Sequence, residues 1–127
     1  MTDFRQNITD PVCEQTTATL TLALTDENDL AIAKAQLTSL TLTLYRAGYP
    51  ATIFNARDAS DILDANGGTV SADGVLTLLL ENDDNVLESQ TRNQEFHVAL
   101  IRWTWATGTR PGVHEITYRV INQEAMV

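Results

Sequence analysis

The sequence holds very few residues of the kinds that form disulfides or bind metals. It has one cysteine, Cys13, and two histidines, His97 and His114, among 127 residues. A single cysteine excludes an internal disulfide, and we interpret Cys13 as a small, partly buried apolar residue. The histidines have no third ligand at a diagnostic spacing, so the sequence predicts no metal centre.

The common motifs of enzymes are missing as well. No serine lies in a glycine-flanked nucleophile elbow, and no glycine-rich loop suits a phosphate group. The acidic stretches "DEND" (26–29) and "ENDDN" (81–85) lack the glycine and later glutamate of an EF-hand, and are interpreted as solvated turns. We therefore predict that the chain is not an enzyme and has no cofactor.

The chain also lacks long apolar runs and a surplus of positive charge. No apolar run is long enough to cross a bilayer, and "MTDFRQNITDP" at the start has no signal-peptide pattern. The formal charge is −9 at pH 7. Such a charge disfavours nucleic acids and anionic membranes as partners, so neither is predicted.

The negative charge is confined to one part of the chain. Residues 1–92 hold 5 basic and 14 acidic residues, a net charge of −9, whereas residues 93–127 hold 3 of each. Both tryptophans, Trp103 and Trp105, lie in the neutral segment. All but one of the basic residues are arginines, and arginine suits ordered, bidentate contacts between surfaces.

Alternation of apolar and polar residues dominates the rest of the sequence. It is present in "TATLTLAL" (17–24), "LTSLTLTLYR" (37–46), "VLTLLLEN" (75–82) and "VHEITYRVI" (113–121). A period of two is typical of half-buried strands. Many short strands separated by turn residues predict an all-β sandwich.

Two segments depart from this alternation. Residues 58–65 predict one short helix, with Asp58 as its cap, apolar residues at helical spacing and Asn66-Gly67 as its stop. In this helix Asp61 and Asp64 share the exposed edge with Asp58. Residues 1–15 are polar and aperiodic, so we predict an extended N-terminal arm followed by a sandwich domain over residues 16–127.

The alternation assigns a core and a candidate interface. The segment "EFHVALIRWTW" (95–105) is apolar on both faces, which is typical of a central strand or of one whose outer face meets a partner. One interpretation is that this face and the N-terminal arm both lie on a neighbouring molecule. An equally good one is that this face covers the opposite sheet and that the arm is a loose tail. The predicted core residues are Leu20, Leu22, Leu42, Leu44, Ile101, Trp103, Trp105, Ile116, Tyr118 and Val120. The candidate interface residues are Phe4, Arg5, Ile8, Phe96, Val98, Leu100 and Arg102.

Two longer motifs are also present. Residues 54–87 fit the pattern NxRDxxDxLxANGGTVxxxGxLT followed by an acidic loop, and residues 97–122 fit HxALxxWTW and GxHExxxxV. With these motifs, residues 37–122 resemble a family of small Ig-like virion modules of tailed bacteriophages. The fitting positions are Asn55, Arg57, Asp58, Asp61, Leu63, Ala65, Asn66, Gly67, Gly68, His97, Ala99, Leu100, Trp103, Thr104, Trp105, Gly112, His114 and Glu115.

The resemblance implies an Ig-like antiparallel β-sandwich of about seven strands, and none of its motif positions is catalytic. It further implies a bacteriophage virion structural protein, for which a capsid decoration (cement) protein is the first expectation. The alternatives are a head–tail connector, neck or tail/baseplate component, and a carbohydrate- or host-binding module. The expected partners are the major capsid protein or other virion proteins, and further copies of this chain in a homo-oligomer. Assembly is expected in the host bacterial cytoplasm.

Overall fold

The described part of the protein consists mainly of β-strands of two to twelve residues, which form two sheets. The computed structural model describes residues 5–8, 10–88, 93–106 and 110–122, so the interface prediction for Phe4 lies outside the described residues. The strands in this part of the chain are β1 (Arg5–Asn7), β2 (Val12–Cys13), β3 (Ala18–Ala23), β4 (Leu37–Arg46), β5 (Tyr49–Ile53), β6 (Ser60–Asp61), β7 (Gly68–Val70), β8 (Val75–Leu80), β9 (Gln94–Trp105) and β10 (Arg110–Ile121). Single 3₁₀ turns span Lys34–Gln36 and Asn82–Asp84.

The strands form a large and a small sheet. The large sheet has the order β1-β10-β9-β4-β5, with β2 also paired to β10 and β6 also paired to β4. The small sheet has the order β3-β8-β7. The predicted all-β sandwich is therefore confirmed. The large sheet is mixed, however, because β1 and β2 run parallel to β10 while its other pairs are antiparallel.

The alternating apolar residues of both sheets meet in one core. β4 and β8 illustrate the pattern, since their leucines at every second position are inaccessible to solvent while the threonines between them are half-buried or exposed. Of the residues predicted for the core, Leu22 and Trp105 are partly buried against it. The others are buried: Leu20, Leu42, Leu44, Ile101, Trp103, Ile116, Tyr118 and Val120.

The hairpin of β9 and β10 is fitted around one tryptophan. Gly112 lies opposite Trp103 in the register of the two strands, and Trp103 is only 5% exposed. A Cβ atom at Gly112 would lie 2.3 Å from the nearest atom of the indole ring. The glycine therefore lets the indole lie directly on the backbone of the neighbouring strand.

The predicted helix over residues 58–65 is wrong. Ser60 and Asp61 instead form β6 along the edge of β4, and Ile62 donates its backbone N–H to the carbonyl of Leu40. Ala59 and Asp64 have φ values of 52° and 53°, which a right-handed helix excludes. Backbone hydrogen bonds to β4 replace those that the helix would have made. The helices in the described ranges are single 3₁₀ turns, and neither is long and apolar enough to cross a membrane.

The described residues of the predicted N-terminal arm lie on their own chain. β1 pairs with residues 115–117 of β10, and β2 pairs with Val120 and Ile121. Ile8 packs partly buried against the core. These contacts supply the order that sequence reasoning expected from a neighbouring molecule.

The contact between Gly112 and Trp103 gives a stability prediction. Replacing Gly112→Ala should lower the free energy of unfolding by about 1–3 kcal/mol, because the added methyl group overlaps the indole ring. Val113→Ala is the matched control, since Val113 is the next residue of β10 and is 42% exposed. Urea denaturation measures both variants, and equal midpoints for the two would contradict this packing of Trp103 on Gly112.

Candidate functional site

The outer face of the large sheet holds the predicted interface residues of β9. Phe96 is 48% exposed and Arg102 is exposed, whereas Leu100 is half-buried. Val98 is only 6% exposed, because Tyr45 of β4 and Thr117 of β10 flank it in the register. Val98 therefore offers a partner almost no surface, and its inclusion in the interface is corrected.

Sequence reasoning missed one apolar residue on this face. Val113 of β10 is 42% exposed and lies opposite Arg102. Alternation within residues 113–121 does not show the neighbours of Val113; the register with β9 is what places it beside Arg102. The outer face thus presents Phe96 towards one end of the hairpin strands, and Val113 with Arg102 towards the other.

A charged cluster lies between these two positions. Arg5 of β1 forms an ion pair with Glu115, with 3.5 Å between Nε and Oε2. Burial and the negative charge of Glu115 raise the pKa of Tyr45, while the positive charges of Arg5 and Arg102 lower it. The predicted interface residue Arg5 is therefore part of a polar cluster on the same face, whereas Ile8 faces the core.

A second group of polar side chains surrounds a buried ion pair between Arg57 and Asp84. Arg57 donates from Nε and Nη2 to the two carboxylate oxygens of Asp84, each at 2.9 Å. Asn55 donates to Oδ1 of the same carboxylate at 2.9 Å, and the backbone N–H of Glu81 donates to Oδ2 at 2.7 Å. The third guanidinium nitrogen, Nη1, donates to the carbonyl of Asn66 at 2.8 Å.

The environment of Asp84 fixes its charge. Burial raises the pKa of this carboxyl, but the hydrogen bonds from Arg57, Asn55 and the backbone of Glu81 outweigh it and hold the pKa below its usual value. Asp84 is inaccessible to solvent, so the prediction that "ENDDN" is wholly a solvated turn is wrong at this residue. Its partner lies 27 residues away in the chain, beyond the reach of any local pattern.

The next residue extends the buried network to other elements. Asn85 is also inaccessible to solvent. Its side chain donates to the carbonyl of Thr16 at 2.7 Å and accepts from the hydroxyl of Tyr118 at 3.1 Å. The turn after β8 therefore binds both the segment that leads into β3 and the middle of β10.

An open depression lies over this network, lined by Asn55, Arg57, Ser60, Asn66 and Glu81. The arginine would be the natural ligand for an anion there. Its three nitrogens already donate to Asp84 and Asn66, and Glu81 adds a negative charge at the rim. This arrangement suits a structural arginine and does not favour an anion site.

His97 is the other buried polar group with a distinctive environment. Its ring stacks on Phe54 with 3.9 Å between centroids and meets the edge of Tyr118. Nε2 lies 3.3 Å from Oε1 of Glu95. Burial lowers the pKa of His97; Glu95 opposes this shift and Arg46 adds to it.

The two histidines are not brought together. In the hairpin register His97 lies opposite Tyr118, and His114 lies opposite Ile101. No group of three or more His, Cys, Asp or Glu side chains within the described ranges could hold a metal ion. The carboxylates of Asp61 and Asp64 accept backbone N–H groups of Leu63 and Val70 instead.

No protein-family model matches the chain, and no curated protein matches it.

The burial of His97 predicts a pH dependence of stability. Its folded pKa lies below the ordinary value of about 6.5, so under mildly acidic conditions the unfolded chain binds a proton that the folded chain does not. The resulting stabilisation is complete above that value and is lost as the pH falls through the folded pKa. Urea denaturation between neutral and mildly acidic pH should show this loss.

Matched histidine variants separate this effect from general acid denaturation. His97→Gln should remove the loss of stability that occurs between neutral pH and the more acidic range in which carboxyl groups titrate. His114→Gln, which changes the other histidine, should retain it. An unchanged pH profile for His97→Gln would show that His97 is not its source.

Breaking the buried ion pair should destabilise the protein far more than breaking an exposed one. Replacing Arg57→Ala should cost about 3–5 kcal/mol, because it leaves the Asp84 carboxylate buried without its charge partner. Arg110→Ala breaks the pair with Glu27, in which both side chains are more than half exposed, and should cost less than about 1 kcal/mol. Thermal or chemical denaturation gives the comparison, and similar costs for both variants would contradict the structural role of Arg57.

Proposed function

We propose that the chain is a non-enzymatic structural protein of a tailed-bacteriophage particle, and in particular a capsid decoration protein that binds the particle surface. Its partners are the major capsid protein and neighbouring copies of itself. It is assembled onto particles in the bacterial cytoplasm. The proposal begins from the resemblance of residues 37–122 to small Ig-like virion modules.

The observation that carries the proposal is the structural role of the motif residues. Arg57 closes a buried ion pair, Gly112 makes room for Trp103, and Gly68 allows the backbone of Ile62 to approach where a Cβ atom would overlap it. All of these are roles in folding. A motif devoted to folding, without a catalytic grouping, is what a structural module needs and gives no support to an enzyme.

The outer face of the large sheet supports the same proposal. Phe96 and Val113 are exposed apolar residues, and Arg102 lies in register with Val113. Apolar and arginine side chains are enriched in protein interfaces. On a particle surface a modest contact of this kind is sufficient, since many copies bind side by side and multivalency raises the total binding.

The carbohydrate-binding alternative has less support. The two tryptophans offer a sugar ring little surface for stacking, since Trp103 is only 5% exposed and Trp105 is partly buried against the core. The neck and tail alternatives share the fold and the interface chemistry of a decoration protein. They differ from it in copy number, which a particle measurement gives directly.

The proposal predicts that purified phage particles contain the chain and that the outer face attaches it. Phe96→Glu should abolish incorporation while the variant still folds, because it places a charge in the apolar contact. Leu79→Glu is the matched control, since Leu79 is a similarly exposed apolar residue, at 42%, on the outer face of the small sheet. Quantitative mass spectrometry of particles measures incorporation.

Circular dichroism of the soluble variants shows that each remains folded. Hundreds of copies per particle would support decoration, and six or twelve would favour a ring in the neck or tail. Absence of the wild-type chain from particles would overturn the virion proposal. Incorporation of Phe96→Glu at the wild-type level would refute the outer face as the point of attachment.

A further inference from the structure

The edges of the two sheets differ in how they are protected from pairing with another chain. Exposed edges are commonly protected by short strands, charges, proline or bulges. β1 has three residues and carries Arg5. β5 carries Pro50 and pairs with β4 through an irregular register. β7 has three residues and begins with Gly68.

β3 has none of these devices. It is a six-residue strand, "ATLTLA", without charge, proline, glycine or register shift. It pairs with β8 on one side, and no other strand of the described part of the chain pairs with it on the other. β3 is therefore an open edge made of residues with high strand propensity.

The hydrogen bonding of β8 shows which backbone groups β3 leaves free. Leu79 of β8 donates to the carbonyl of Gly67 on the β7 side. In an antiparallel sheet, neighbouring residues of one strand bond to opposite sides. The even-numbered residues of β8 thus bond to their even-numbered partners in β3. The backbone groups of Thr19, Thr21 and Ala23 consequently point towards the open edge.

We infer that two copies of this chain pair through their β3 edges around a two-fold axis at Thr21. Antiparallel pairing about this residue places Thr21 opposite Thr21 of the second copy and Thr19 opposite its Ala23. The two three-stranded sheets then become one sheet of six strands, and the free backbone groups of each edge gain partners.

The side chains of β3 fit a second copy on both faces. On the inner face Leu20 lies opposite Leu22 of the second copy, so the half-buried Leu22 is covered by the neighbouring core. On the outer face threonines lie opposite threonine or alanine. No charged residue lies within β3, so two copies, each with a formal charge of −9, meet here without opposing like charges. A pairing that repeats the same patch is the isologous contact of a two-fold dimer.

This inference does not rest on the proposed function, because it concerns the isolated chain in solution. It predicts a dimer by sedimentation equilibrium. Thr21→Lys should give a monomer at concentrations at which the wild-type chain is dimeric, because two lysines then meet at the axis. Thr69→Lys is the matched control, since Thr69 is an exposed threonine of β7, at the opposite edge of the same sheet.

Cross-linking tests the register of the same dimer. In a Cys13→Ser background, Thr21→Cys should form a disulfide-linked dimer on mild oxidation, because residues directly opposed across an antiparallel pair lie within disulfide range. Thr69→Cys in the same background should not. This measurement keeps the inference testable if a lysine at position 21 impairs folding.

Each alternative result would overturn the inference. A wild-type chain that stays monomeric up to its solubility limit excludes the dimer, and leaves the edge to a strand from another protein. A Thr21→Lys variant that is still dimeric shows that copies meet elsewhere. Equal cross-linking at positions 21 and 69 excludes the pairing about Thr21.

Discussion

The buried ion pair between Arg57 and Asp84 is the interaction on which the arrangement of the connecting segments depends. Removing a guanidinium and a carboxylate from water is costly, and the cost is recovered only when both are fully hydrogen-bonded. The structure meets that requirement by bringing the backbone of Glu81, the side chain of Asn55 and the carbonyl of Asn66 to the pair. The segments around Asn55, Asn66 and Glu81 are thereby fixed relative to one another, and Asn85 extends the same network to β10.

The distance in sequence between Arg57 and Asp84 illustrates why only some parts of the fold could be predicted: local patterns are visible in the sequence, whereas long-range contacts are not. Alternation is a local signal, and it located β3, β4, β8 and β10 because each buries one face of the strand regardless of its partners. The segment around Asp61 followed a long-range constraint instead: its residues pair with β4, and the preceding Arg57 is held by Asp84. Helical spacing of a few apolar residues could not reveal such a pairing. The same reason made Asp84 resemble a solvated turn.

The candidate interface illustrates a second limit of periodicity. Odd and even positions of β9 lie on opposite faces of the sheet. How exposed a side chain is within one face, however, depends on the sizes of the side chains on neighbouring strands. Val98 is covered beside Tyr45, while Phe96 and Val113 remain exposed. Only the strand order and register decide between these cases, and neither is encoded in the spacing of residues within one strand.

The motif residues and the exposed residues have different structural roles. Arg57, Gly68 and Trp103 fit the motif and act inside the fold. Phe96 and Val113, in contrast, occupy positions that the motif leaves open, and β3 lies outside the matched region altogether. A module built in this way can keep its core while its outer face and its open edge adapt to different neighbours. Exposed strand positions and edges are free to change, because the buried network does not depend on them.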